Sequence, residues 1–124
     1  MAAKRVLSVG QCAADNWSIS RFIRKHFDAD VVTADSLSDA LDQLRAGGVD
    51  LVLVNRVFDA DGASGLEMIK QTQADAELQS VPVMLVSNYE DPQRQAVEMG
   101  AAPGFGKAAL GHPQTVARLK AFLE

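Results

Sequence analysis

The sequence predicts an α/β domain in which a parallel sheet of five strands carries helices on both faces. Two observations lead there. Short apolar runs alternate with helical stripes five times along the 124 residues. Strand-then-helix units of about 25 residues close by right-handed crossovers, which places their strands parallel in one sheet. No linker or low-complexity tract separates the units, so residues 1–124 form a single domain.

Each element has its own signal. Val6-Leu7-Ser8-Val9 is short, rich in β-branched residues and stopped by Gly10, as a buried strand should be. Ile19, Phe22, Ile23 and Phe27 then follow the spacing of one helix face. Val31-Val32-Thr33 reads as a second strand. Ser36, three residues before Asp39, is placed to cap a helix with Leu37, Ala40, Leu41 and Leu44 inward, and Gly47-Gly48 ends it. Leu51-Val52-Leu53-Val54 is apolar on both faces, which suits the middle of a parallel sheet. A loop rich in Asp, Gly and Ala runs from Phe58 to Ser64 and leads into a helix carrying Leu66 and Ile69. Pro82 introduces a fourth strand, Val83-Met84-Leu85-Val86, and Asp91-Pro92 opens a short helix through Met99. Gly104-Phe105-Gly106 is the weakest strand signal, and Pro113 starts a last helix with Val116, Leu119 and Leu123 inward.

Composition narrows the function classes. With 48% hydrophobic and 23% charged residues the chain can bury an ordinary core. A formal charge of −4 without a Lys/Arg cluster argues against nucleic acid or an anionic membrane as partner. No segment has the length of a bilayer span or the pattern of a signal peptide. The lone Cys12 has no disulfide partner and no companion for a metal site, which fits a reducing cytoplasm.

In an open parallel sheet, function gathers at the carboxyl ends of the strands. Those ends carry Gly10 and Gln11, Asn55, Ser87 and Lys107. This constellation resembles the receiver domain of response regulators, the CheY-like fold, over essentially the whole chain. Gly65-Leu66-Glu67 and the run from Gly100-Ala101 to Lys107 add to the resemblance. It implies a flavodoxin-like strand order of 2-1-3-4-5 and a role in two-component or phosphorelay signalling. It also implies an acidic pair at positions 10 and 11, a phosphoryl-accepting Asp at 55, a hydroxyl at 87 and a lysine at 107.

The departures bear directly on chemistry. Gly10 brings no side chain, Gln11 only a neutral oxygen, and the Asn55 amide is a very poor nucleophile. Phosphoryl transfer in such a domain needs a carboxylate acceptor and a hard divalent cation held by carboxylates. With all three acids missing, the expectation is a pseudo-receiver with no cofactor, no resident metal and no enzymatic activity. The family's aromatic switch position falls on Gly104, and its Lys-Pro is Lys107-Ala108. As a one-domain chain it is expected to act through a protein partner: a histidine kinase, another regulator or a scaffold, with a homodimer left open.

Rival readings remain at this stage. Ser87, Asn88, Lys107 and Arg56 could hold a phosphate or carboxylate metabolite, which would make the chain a small-anion sensor. Lys107 could instead pair with Asp15, Asp59 or Asp61, and those three acids could form a substitute metal site. Arg56 could fill the emptied pocket or point to solvent. Cys12 lies near a helix N-terminus, but position 18 is Ser rather than the Arg a phosphatase loop needs, so a buried, inert thiol is expected. His26 and His112 read as surface residues, and Trp17 as a cover over the core edge rather than a pocket wall.

Overall fold

The computed structural model describes residues 3–124. Strands β1 (Lys4–Val9), β2 (Ala29–Ala34), β3 (Leu51–Asn55), β4 (Val83–Val86) and β5 (Ala102–Phe105) alternate with helices. These are α1 (Ala13–His26), α2 (Leu37–Ala46), α3 (Gly65–Ala74), α4 (Glu90–Glu98) and α5 (Pro113–Leu123). All strand pairs are parallel, and their order is β2-β1-β3-β4-β5, as expected. The strand order reverses between β1 and β3, which opens a crevice at their carboxyl ends.

Alternate residues of the central strands serve two separate cores, one on each face. Leu7, Val9, Val52, Val54 and Leu85 pack with Ala40, Leu44, Met68, Ile69 and Ala96, so α2, α3 and α4 cover one side. Val6, Leu51, Leu53, Met84 and Phe105 pack with Ile19, Phe22, Ile23, Leu119 and Leu123, so α1 and α5 cover the other. Each such buried side chain contributes roughly 1.5–3 kcal/mol by leaving water. The polar exception in β1 is Ser8, fully buried, whose hydroxyl donates to the Asn16 side-chain oxygen at 2.8 Å.

Several boundaries move from those read in the sequence. β2 gains residues at both ends because Ala29, Asp30 and Ala34 pair with Lys4, Arg5 and Val9. β5 runs Ala102–Phe105 rather than Gly104–Gly106, and the chain then makes a 3-10 turn, Lys107–Ala109, that no periodicity signals. Helix α4 begins one residue earlier, at Glu90, with Pro92 inside its first turn. The Ser36 cap is as expected: its hydroxyl accepts from the Asp39 backbone N–H at 3.1 Å.

Trp17 does not cover the core edge. It is 62% exposed on α1, with the Arg21 guanidinium 5.2 Å from its ring centroid. Cys12 is only half-buried and occupies the N-cap of α1 rather than the interior. His26 and His112 are exposed, and the His112 Nδ1 accepts from the Gln114 backbone N–H at 3.3 Å to cap α5.

Candidate functional site

Where β1 ends, the backbone turns through Gly10 with φ +75°, a conformation side chains rarely adopt. A Cβ built there would lie 2.5 Å from the Phe58 ring. Phe58 is itself 1% exposed and belongs to the core, although it stands in the acidic, glycine-rich loop after β3. That loop folds back on itself: Phe58 donates its N–H to the Ala63 carbonyl at 2.8 Å, and Val57 bridges Ser64. The loop therefore carries an aromatic ring beneath the end of β1.

Asn55, the last residue of β3, reaches across to the same turn. Its side-chain nitrogen donates to the Gly10 carbonyl at 3.0 Å, and the Asp59 backbone N–H donates to that carbonyl at 2.9 Å. A carboxylate could not make the first of these bonds. Gln11 turns its side chain inward, 2% exposed, and neither its amide nitrogen nor its amide oxygen has a hydrogen-bond partner. Its backbone carbonyl accepts from the Asn16 side chain at 3.3 Å, which ties α1 to the end of β1.

The opposite wall comes from β4 and β5. The Ser87 hydroxyl oxygen accepts from the Tyr89 N–H at 3.2 Å, and the Ser87 N–H donates to the Phe105 carbonyl at 3.0 Å. Asn88 accepts from the Ala108 N–H at 3.1 Å and so anchors the turn that presents Lys107. Of its three candidate partners, Lys107 takes Asp15, at 2.6 Å. The lysine hydrogen bond holds the Asp15 carboxyl below its usual range, against a smaller opposing effect of partial burial.

Between these walls lies a cleft of about 160 Å³ lined by Asn55, Arg56, Ser87, Asn88, Tyr89 and Lys107, among others. Arg56 neither plugs it nor extends freely into solvent. Its guanidinium lies over the Tyr89 ring, 5.5 Å from the centroid, and both side chains form the rim. Asp59 and Asp61 are exposed and do not join Asp15. Asp61 accepts from the Ala63 N–H at 3.0 Å, a local turn contact. Among the described residues no three His, Cys, Asp or Glu side chains gather as metal ligands.

The receiver fold implies a divalent cation at this point, and the residues present do not fit one. Position 10 has no side chain, and the space a carboxylate would need is filled by Phe58. Gln11 and Asn55 offer only neutral oxygens, whereas magnesium exchanges its waters chiefly for anionic ones.

Two residues at the site escape a sequence reading altogether. Gln93 of α4 brings its side-chain nitrogen to the carbonyls of Leu85, Ser87 and Phe105 at 2.8, 3.0 and 3.3 Å. It can do so because Gly104 lacks a Cβ, which would otherwise lie 2.2 Å from the Leu85 carbonyl oxygen and 2.9 Å from the Gln93 oxygen. Phe58 is the other. A lone aromatic among loop residues was its only signal.

The fold matches many solved structures. The BeF3-activated N-terminal receiver domain of Klebsiella pneumoniae RstA is similar at a TM-score of 0.79 and 22% identity, over 98% of this chain and 99% of that one. The chemotaxis response regulator CheY4 of Vibrio cholerae gives 0.73 and 14%, over 98% and 99%. The signal receiver domain of a DNA binding response regulator from Colwellia psychrerythraea gives 0.79 and 20%, over 95% and 96%. No family model and no curated protein matches the chain. At these identities the likeness is one of fold, and the fold is that of response-regulator receivers.

Proposed function

We propose that this chain is a receiver-like signalling module of the two-component or phosphorelay type that takes up no phosphoryl group and acts by contact with a protein partner. It is not an enzyme in this reading, and it works in the cytoplasm. The observation that carries the proposal is the bond from the Asn55 amide to the Gly10 carbonyl. At the strand end where such a fold would hold its acceptor, this chain uses a hydrogen-bond donor to close its own backbone.

Two further features support a single, unswitched state. Phe58 fills the room beside Gly10, so the turn is packed without any ligand. Gln93 ties the ends of β4 and β5 to α4, at the place where Gly104 leaves no aromatic to move. A histidine kinase, another regulator or a scaffold would then read a constant surface.

The test is incubation with magnesium and acetyl phosphate, or with beryllofluoride, read by intact mass and by backbone amide resonances. The expected result is no mass gain and no magnesium-dependent shift at Asn55 or Lys107. A stable adduct, or a magnesium-dependent shift at the end of β3, overturns the reading.

A further inference from the structure

Helices α1 and α2 carry opposite charge, and each has spent elsewhere the one group that could balance it. On α1, Trp17, Arg21, Arg24 and Lys25 fall at i, i+4, i+7 and i+8, which lines them up on one exposed face. The only acid of α1, Asp15, is held by Lys107 at 2.6 Å. On α2 the exposed acids Asp39 and Asp42 lie about one turn apart, with Asp35 just ahead of the helix. The only cation of α2, Arg45, is held by Asp75 at 3.3 Å. Among the described residues, none of Arg21, Arg24, Lys25, Asp35, Asp39 and Asp42 is in an ion pair.

The fold keeps the two stripes apart. α1 packs on one core and α2 on the other, so they lie on opposite faces of the sheet. One molecule cannot bring them together, whereas two can. We propose that copies of this chain associate reversibly head to tail, the cationic face of α1 in one copy meeting the acidic face of α2 in the next. Trp17 anchors the contact: its ring is 62% exposed, and the Arg21 guanidinium sits 5.2 Å from its centroid. Trp and Arg are the side chains that most often dominate such contacts, and an Arg already seated on a ring loses little freedom on docking. Beside the stripe a groove of about 360 Å³, with Trp17, Phe22 and Leu110 in its apolar wall, gives room for side chains of the next copy. Because the two patches differ, the contact does not close as a two-fold dimer, and the species grow with concentration. Exposed ion pairs are individually weak and are screened beyond about 10 Å at 0.1 M salt, so the association belongs to low ionic strength.

The inference goes beyond the silent-receiver reading, and no residue substituted to test it lines the cleft. The experiment is sedimentation velocity of the full chain over a concentration series, at about 20 mM and about 500 mM sodium chloride. The sedimentation coefficient should rise with concentration at low salt and return to that of the monomer at high salt. Arg21→Glu with Lys25→Glu, or Asp39→Lys with Asp42→Lys, should each lower the association constant about tenfold or more. An equimolar mixture of the two double variants should associate again, since each supplies the stripe the other lacks. Glu77→Lys with Glu98→Lys changes the net charge as the α2 variant does, at exposed positions elsewhere, and should leave association in place. All these side chains are exposed, and if a double variant does not fold, Arg24→Glu and Asp42→Lys provide the same mixing test. A chain that stays monomeric at low salt overturns the proposal and leaves the α1 face to another acidic partner. Association that survives both reversals, that the Glu77 and Glu98 control abolishes equally, or that mixing does not restore also overturns it. None of these failures touches the silent receiver, and a phosphoryl adduct would end that reading without deciding this one.

Discussion

At the scale of single residues, the cleft is governed by what Gly10 excludes. Gly10→Asp must accept both a strained φ and a Cβ against the Phe58 ring. The expected cost is about 2–4 kcal/mol, read from the urea midpoint. Asn55→Asp loses its bond and sets a carboxylate against the Gly10 carbonyl, with an expected cost of about 1–3 kcal/mol at neutral pH. The Asp15–Lys107 pair has a defined pH signature. A carboxyl whose folded pKa is depressed stabilises the fold above its unfolded pKa and loses that contribution as pH falls through the folded value. The stability difference between the protein and Lys107→Met should thus be constant from neutral pH down to about 5, begin to shrink only near the ordinary carboxyl value of about 4, and disappear as pH falls further through the lower folded value. Both groups are about one-third exposed, so its size is no more than about 1 kcal/mol. That positions 10, 11, 55 and 87 follow strand ends was legible in the apolar runs of β1, β3 and β4, whereas position 107 rested on the resemblance, since β5 has no such run. Which partner Lys107 chooses was not legible, since Asp15, Asp59 and Asp61 are equivalent until the turn after β5 takes shape.

At the scale of elements, the strands and helices were readable wherever burial imposes a period. Leu51–Val54 and the Ile19, Phe22, Ile23 stripe are such cases, and the structure places all of them in the two cores. Reading failed where hydrogen bonds rather than burial set the shape. The 3-10 turn at Lys107 depends on Asn88 accepting from Ala108, a contact across 20 residues. The loop from Phe58 to Ser64 has no apolar period, since five of its seven residues are Asp, Gly or Ala, yet it delivers a core ring. Gln93 makes the strongest prediction at this level. Gln93→Ala removes the tie between α4 and the ends of β4 and β5. Hydrogen exchange at the Ser87 amide, which pairs with Phe105, should then accelerate by about tenfold or more while the Leu53 amide in the central strand is unaffected.

For the whole molecule, two cores share one sheet, and neither can open without exposing the other face of the same strands. Unfolding is therefore expected to be a single cooperative transition. Leu53→Ala, which cuts only the core under α1 and α5, should cost about 2–5 kcal/mol and lower one midpoint rather than split the curve. Circular dichroism and tryptophan fluorescence would report different transitions if the faces melted separately. The exposed Trp17 makes the second probe sensitive to α1 alone, so coincidence of the two curves is an informative result.

The packing of Phe58 against Gly10 also bears on how the chain could change over time. A variant that gains an acid at position 10 must first dislodge a buried ring. One that gains it at 55 must first give up a bond, and neither gains a metal ligand set alone. Each single step runs uphill, so this neutral cleft resists conversion to an acidic one by one substitution at a time.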